Sequence, residues 1–137
     1  MNGGYIKRLG TMNKVTVLIV EDEMDVAYIL THTVNRLGFQ VTGTEDTGEK
    51  AVIEAGELRP DIVLMDIKLA GKMDGIEAAN EIRKKYHIPV IFITALTDDK
   101  TLERVAVSAP FGFIVKPFND EELRAVIEIA LAAKTAA

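Results

Sequence analysis

The chain alternates short, largely apolar runs with longer stretches in which apolar residues recur every three or four positions. The runs occupy residues 15–20, 62–65, 89–93 and 112–115. Runs this short, without alternation, suit strands buried on both faces and are too short for helices. Residues 39–44 alternate instead and predict a further strand with one partly exposed face. Five helical stretches follow the five strands. The first carries Val26, Ile29, Leu30, Val34 and Leu37 on one face and stops at Gly38. The second, residues 47–58, holds two glycines and is the weakest by propensity. The third, residues 76–86, turns Ile76, Ala79 and Ile82 to one side. The fourth opens on Thr97 as its cap, with acids in the first turn, and has a poor apolar face of Leu102, Val105 and Ala106. A helix that buries so little belongs among the more mobile elements. The fifth opens on Asn119 with Glu122 three residues on, a capping-box pattern, and directs Leu123, Val126, Ile127, Ala130 and Leu131 inward. Residues 132–137 are expected to fray, with 135–137 outside the domain.

Strict strand–helix alternation predicts an α/β doubly wound domain with parallel strands. Crossover helices then place every strand's carboxyl end on one edge of the sheet, and ligands bind there, where the strand order reverses. The residues that end the apolar runs therefore matter. The first run ends in Glu21-Asp22, the central one in Asp66, the next in Thr94 and the last in Lys116. Singly, each has an ordinary reading as a solvated strand end. Glu23 and Asp25 suit a helix N-terminus, whereas Glu21 and Asp22 sit directly at the strand end. Together the terminal residues gather acids, a hydroxyl and an amine in one crevice. Clustered carboxylates raise one another's pKa unless a cation neutralises them. A hard divalent ion such as Mg²⁺ does so with oxygen ligands. A carboxylate can itself accept a phosphoryl group, with Lys116 and Thr94 answering the phosphoryl oxygens.

Composition narrows the reading without changing it. The 137 residues make one domain able to bury a real core. With 48% apolar and 27% charged residues the chain reads as globular. A formal net charge of −5 with no basic run argues against direct nucleic-acid binding. There is no cysteine, hence no disulfide framework or thiolate metal site. No run approaches membrane-spanning length and no secretory segment opens the chain, so a cytoplasmic protein is expected. Residues 1–12 have no sustained period and three glycines, and read as a poorly ordered extension before a domain at 13–134. Met12 offers a second natural start beside Met1.

The order Val20-Glu21-Asp22-Glu23, Leu64-Met65-Asp66, Met73-Asp74-Gly75, Thr94-Ala95 and Lys116-Pro117-Phe118 resembles the receiver domain of two-component response regulators. The resemblance covers about residues 13–134. It implies a flavodoxin-like fold of five helices around a sheet ordered 2-1-3-4-5. It implies that Asp66 is the phosphoacceptor, served by a histidine kinase or phosphotransfer protein. It also implies Asp22, Asp66 and the backbone carbonyl of Lys68 as Mg²⁺ ligands, with Glu21 supporting through water. Thr94 and Phe113 are implied as switch residues, and the bond before Pro117 as cis. The output face implied is the fourth helix, fifth strand and fifth helix, acting on another protein or in a homodimer. Two departures stand out. The loop after Asp66 lacks a proline that many receivers carry and is one residue longer before Gly75. Ala109-Pro110 replaces the commoner small pair before the last strand.

The leading expectation is a stand-alone response regulator that signals by contact and is not an enzyme. A receiver cut from a hybrid kinase or larger regulator stands second. A phosphoaspartyl-type phosphatase of small molecules stands third, because such enzymes place a second acid two positions after the nucleophile, where this chain has Lys68.

Overall fold

The computed structural model describes residues 14–95, 98–108 and 111–136. In chain order the elements are β1 (Thr16–Val20), α1 (Met24–Arg36), β2 (Gln40–Glu45), α2 (Gly48–Leu58), β3 (Ile62–Asp66), α3 (Gly75–Tyr86), β4 (Val90–Thr94), α4 (Asp99–Ser108), β5 (Gly112–Val115) and α5 (Asp120–Ala136). All strand pairs are parallel and the sheet runs β2-β1-β3-β4-β5. The order reverses between β1 and β3, which places the crevice where the pattern of strands implied it.

The apolar runs are continuous because both sheet faces are covered. Val17, Ile19, Ile62, Leu64, Ile91 and Ile93 face α1 and α5. Their neighbours Leu18, Val20, Val63, Met65, Val90 and Phe92 face α2, α3 and α4. A side-chain period of two makes register decisive, since a one-residue slip would exchange these layers. At the opposite edge from the crevice, the Asp61 carboxylate accepts from Thr16 N at 2.8 Å and Thr16 Oγ1 at 3.0 Å, while Asp61 N donates to Thr16 Oγ1 at 3.0 Å. This staple helps hold β1 and β3 in register, with Val20 opposite Met65. The residues that follow each strand therefore emerge side by side.

The helices correct the expected faces in detail. In α1 the buried positions are Ala27, Leu30 and Val34, followed by Leu37, whereas Ile29 is 65% exposed. Spacings of three, four and three keep that set on one stripe, and Ile29 falls outside it. In α4 Val105 and Ser108 are buried, while Ala106 and Leu102 lie outward. Ser108 Oγ donates to Val105 O at 2.8 Å, which satisfies its hydroxyl without a partner from another element. The glycines of α2 serve packing. A Cβ at Gly48 would lie 3.0 Å from Met73 O, and one at Gly56 2.5 Å from the Tyr86 hydroxyl. Asp98 caps α4 by accepting from Thr101 N at 2.7 Å. Thr97, expected as that cap, lies outside the described residues, as do Pro110 and the N-terminal extension. α5 runs to Ala136, the last of the described residues, and its alanine-rich end has high helix propensity. No helix among the described residues is long and apolar enough to cross a membrane.

Candidate functional site

Glu21 follows β1 and is buried. Its backbone N–H donates to Glu45 O at 2.9 Å, continuing the β1–β2 ladder by one residue. Its Oε2 accepts from Glu23 N at 3.1 Å, at the entry to α1. Asp22 is exposed at the crevice mouth. Asp66 is the last residue of β3 and is partly buried. Glu21, Asp22 and Asp66 offer carboxylate oxygens that all lie within 4.8 Å of one another.

Lys116 reaches this cluster from the end of β5. Its Nζ lies 3.0 Å from Glu21 Oε1 and 3.3 Å from Asp66 Oδ2. The Lys116–Pro117 bond is cis, as the resemblance implied. Partial burial works to lower the Lys116 pKa, but Glu21 and Asp66 outweigh it and raise it. The ammonium is thus a resident countercharge for two of the three acids. Asp22 keeps a raised pKa, through desolvation first and the adjacent Glu21 carboxylate next. One ammonium does not neutralise three clustered carboxylates. Their hard oxygen donors fit a small divalent cation.

Thr94 ends β4 and is buried, and its carbonyl accepts from Lys116 N at 2.8 Å. The β3–β4 register pairs Asp66 with Ile93, so Thr94 lies one residue further along the adjacent strand. Phe113 is half-buried on β5, opposite Phe92, and packs against the layer covered by α2, α3 and α4. Lys68 is exposed, and its charge helps to lower the Asp98 pKa after the hydrogen bonds from Thr101. The structure thus brings Glu21, Asp22, Asp66 and Lys116 together, sets Thr94 beside them, and leaves Phe113 on the neighbouring strand.

Sequence reasoning passed over several supporting residues. Asp74 caps α3 in a full capping box: Oδ1 accepts from Glu77 N at 2.9 Å, and Asp74 N donates to Glu77 Oε1 at 3.1 Å. The Asp-x-x-Glu spacing could have announced it. Asp74 Oδ2 also pairs with Arg104 of α4 at 2.7 Å. A Cβ at Gly75 would collide with Asp66 O, so only glycine fits beside the backbone of Asp66. Glu49, in the first turn of α2, accepts from Lys72 N at 3.2 Å within the loop after Asp66.

The order of strands, the acids on their shared edge and the lysine reaching across define a receiver fold. The family model of the response regulator receiver domain matches residues 17–128, and the chain belongs to that family. The transcriptional regulatory protein PdtaR of Mycobacterium tuberculosis is 35% identical over 115 residues, 84% of this chain and 56% of its own length. The signal receiver domain of a modulated diguanylate cyclase from Desulfovibrio desulfuricans superimposes with a TM-score of 0.84 at 41% identity, over 88% of this chain and 96% of that one. The CheX-CheY-BeF3-Mg+2 complex from Borrelia burgdorferi gives 0.78 at 30% identity, over 87% of this chain and 90% of that one. The chain spans about half the length of the curated relatives it matches. It is a receiver domain of two-component signalling, and its homologues are signalling proteins.

Proposed function

We propose that Asp66 accepts a phosphoryl group from the phosphohistidine of a histidine kinase or phosphotransfer protein, assisted by Mg²⁺. The observation that carries this reading is the triad of carboxylates within 4.8 Å of one another, with Lys116 held against two of them. An Asp66 carboxylate oxygen attacks phosphorus, the nitrogen–phosphorus bond breaks, and its electron pair stays on the donor imidazole nitrogen, which takes a proton from solvent. The product is an acyl phosphate. Asp22, Asp66 and the Lys68 carbonyl would hold the metal, with Glu21 supporting through water. Bound Mg²⁺ offsets the charge of the acids and of the arriving oxygens. Lys116 turns to one phosphoryl oxygen, and the Thr94 hydroxyl turns to another. The solved relative described with beryllofluoride and magnesium is in keeping with such a site.

Two surfaces follow from this reading. Met24 and Tyr28 stand exposed near the start of α1, line one recess with Glu21, and offer an apolar contact to the phosphodonor. The output leaves by α4, β5 and α5, toward another protein or a second copy of the chain. Movement of Thr94 toward the phosphoryl group vacates space, and Phe113 turns inward to fill it. Phe113 needs no hydrogen-bond partner in that inward state.

The direct test is intact-mass spectrometry after incubation with acetyl phosphate and Mg²⁺. Wild type is expected to gain one phosphoryl group and Asp66→Asn none. Equal incorporation in Asp66→Asn contradicts the assignment.

A further inference from the structure

The loop between β3 and α3, residues 67–74, joins the proposed phosphoacceptor to a capped helix. Its base is fixed by backbone, with Gly75 N donating to Ile67 O at 2.8 Å. Its tip carries no proline, and Gly71 there adopts φ +91°. An unpaired loop of this length would sample many conformations, and ordering it costs entropy.

The start of α2 holds the tip. Glu49 Oε2 accepts from Lys72 N at 3.2 Å. A Cβ at Gly71 would lie 3.0 Å from Glu49 Oε1, so the carboxylate closes directly over the glycine. Thr47, the cap of α2, forms a parallel bridge with Ala70. The Glu49 pKa is lowered by its own backbone N–H and then by that of Lys72. An acid in a helix's first turn is ordinarily a partner of the helix dipole. Here the same carboxylate also receives a main-chain donor from a different loop.

The held loop is the one that leaves the acid cluster: residue 67 follows Asp66 directly, and Gly75 at its far end lies against the Asp66 backbone. Lys68, whose carbonyl is the proposed third metal ligand, lies two residues before Ala70. Where Glu49 fixes the tip, it fixes the approach of the Lys68 carbonyl.

We propose that Glu49 is a positioning residue for divalent-cation binding, a clasp that fixes residues 68–73 through the Lys72 N–H group. This rests on the acid crevice being the Mg²⁺ site. Outer-shell groups of this kind set metal affinity without touching the ion.

The experiment compares wild type, Glu49→Ala and Glu49→Gln by Mg²⁺ titration calorimetry at fixed ionic strength and by amide hydrogen exchange. Glu49→Ala is expected to speed exchange at Lys72, to leave exchange in α5 unchanged, and to weaken Mg²⁺ binding about ten-fold. Glu49→Gln removes the same charge but keeps an acceptor oxygen, and should recover most of both losses. Glu49→Ala with faster exchange at Lys72 but wild-type Mg²⁺ affinity overturns the proposal, and so does unchanged exchange. Equal weakening in both variants shows a charge effect and also overturns it. Wild-type protein that binds no Mg²⁺ contradicts the reading of the crevice and removes this assignment with it. Strong wild-type binding, matched by Glu49→Ala, contradicts the clasp alone.

Discussion

The reversal point of the sheet and the flank formed by α4 and β5 are built on opposite terms. At the reversal point, Val17 to Val20 and Ile62 to Met65 are at most 1% exposed, and the acids emerge from strands covered on both faces. On the flank, α4 buries Val105 and Ser108, leaving Leu102 41% and Val107 86% exposed. The first arrangement suits chemistry that must hold its geometry, the second an element that must move. Between them stand Thr94, buried at the end of a core strand, and Phe113, half-buried on the next strand. On the proposed reading, the border between the fixed and the moving region runs between β4 and β5.

The largest expected effect lies on the rigid side. Gly75→Ala drives a Cβ into Asp66 O, and neither backbone can give way cheaply. It should cost about 3 kcal/mol in urea unfolding, near the upper end for overpacking. Val105→Ala on the flank should cost about half as much, roughly 1.5 kcal/mol for two lost methyl groups. Equal losses would remove the contrast.

Much of this contrast was legible in the sequence. Runs covered on both faces cannot alternate, so β1, β3, β4 and β5 announced themselves, and the residues closing them marked the crevice. Helix faces were less legible. Ile29 and Ala106 look like core residues, yet a stripe of three or four positions can rotate by one residue, and packing chose Ala27 and Ser108. Glu49 was hidden for another reason. Its loop partner is a backbone N–H more than twenty positions away, and a backbone donor leaves no mark on residue type.

Next in size is a charge effect at the reversal point. Asp22→Ala is expected to weaken Mg²⁺ more than ten-fold, which exceeds the expected effect of Glu21→Ala, read by calorimetry. Without metal the same change should stabilise the fold by roughly 0.5 kcal/mol, because it relieves repulsion at an exposed carboxylate. The sign follows from the raised Asp22 pKa. Protonated Asp22 favours the fold fully below its ordinary value of 3.8, and that contribution is lost as pH rises through the folded value. The advantage of Asp22→Ala should therefore grow with pH across that window and vanish when Mg²⁺ is added. A constant difference at all pH values would contradict it.

The smallest effect belongs to the flank. Arg104→Gln removes the Asp74 pair, which is half-exposed and worth less than about 1 kcal/mol. Amides of α4 should exchange up to about five-fold faster while those of α3 stay protected by its capping box. Desolvation works to raise the Asp74 pKa, but the Arg104 hydrogen bond and backbone donors prevail and lower it. The contribution is thus present above the ordinary Asp value and lost as pH falls through the folded one. Wild type and Arg104→Gln should converge at low pH and in high salt. A difference that survives both would mean that packing, not charge, ties α4 down.

The coupling between the two regions is tested most directly by amide chemical shifts with beryllofluoride and Mg²⁺. In wild type the mimic should shift residues around Asp22, Asp66 and Lys116 and also those of α4 and β5, as a two-state equilibrium is biased. In Thr94→Ala the mimic should still bind, and the α4 and β5 shifts should largely disappear. Wild-type shifts confined to the crevice, or full α4 and β5 shifts in Thr94→Ala, would contradict the account.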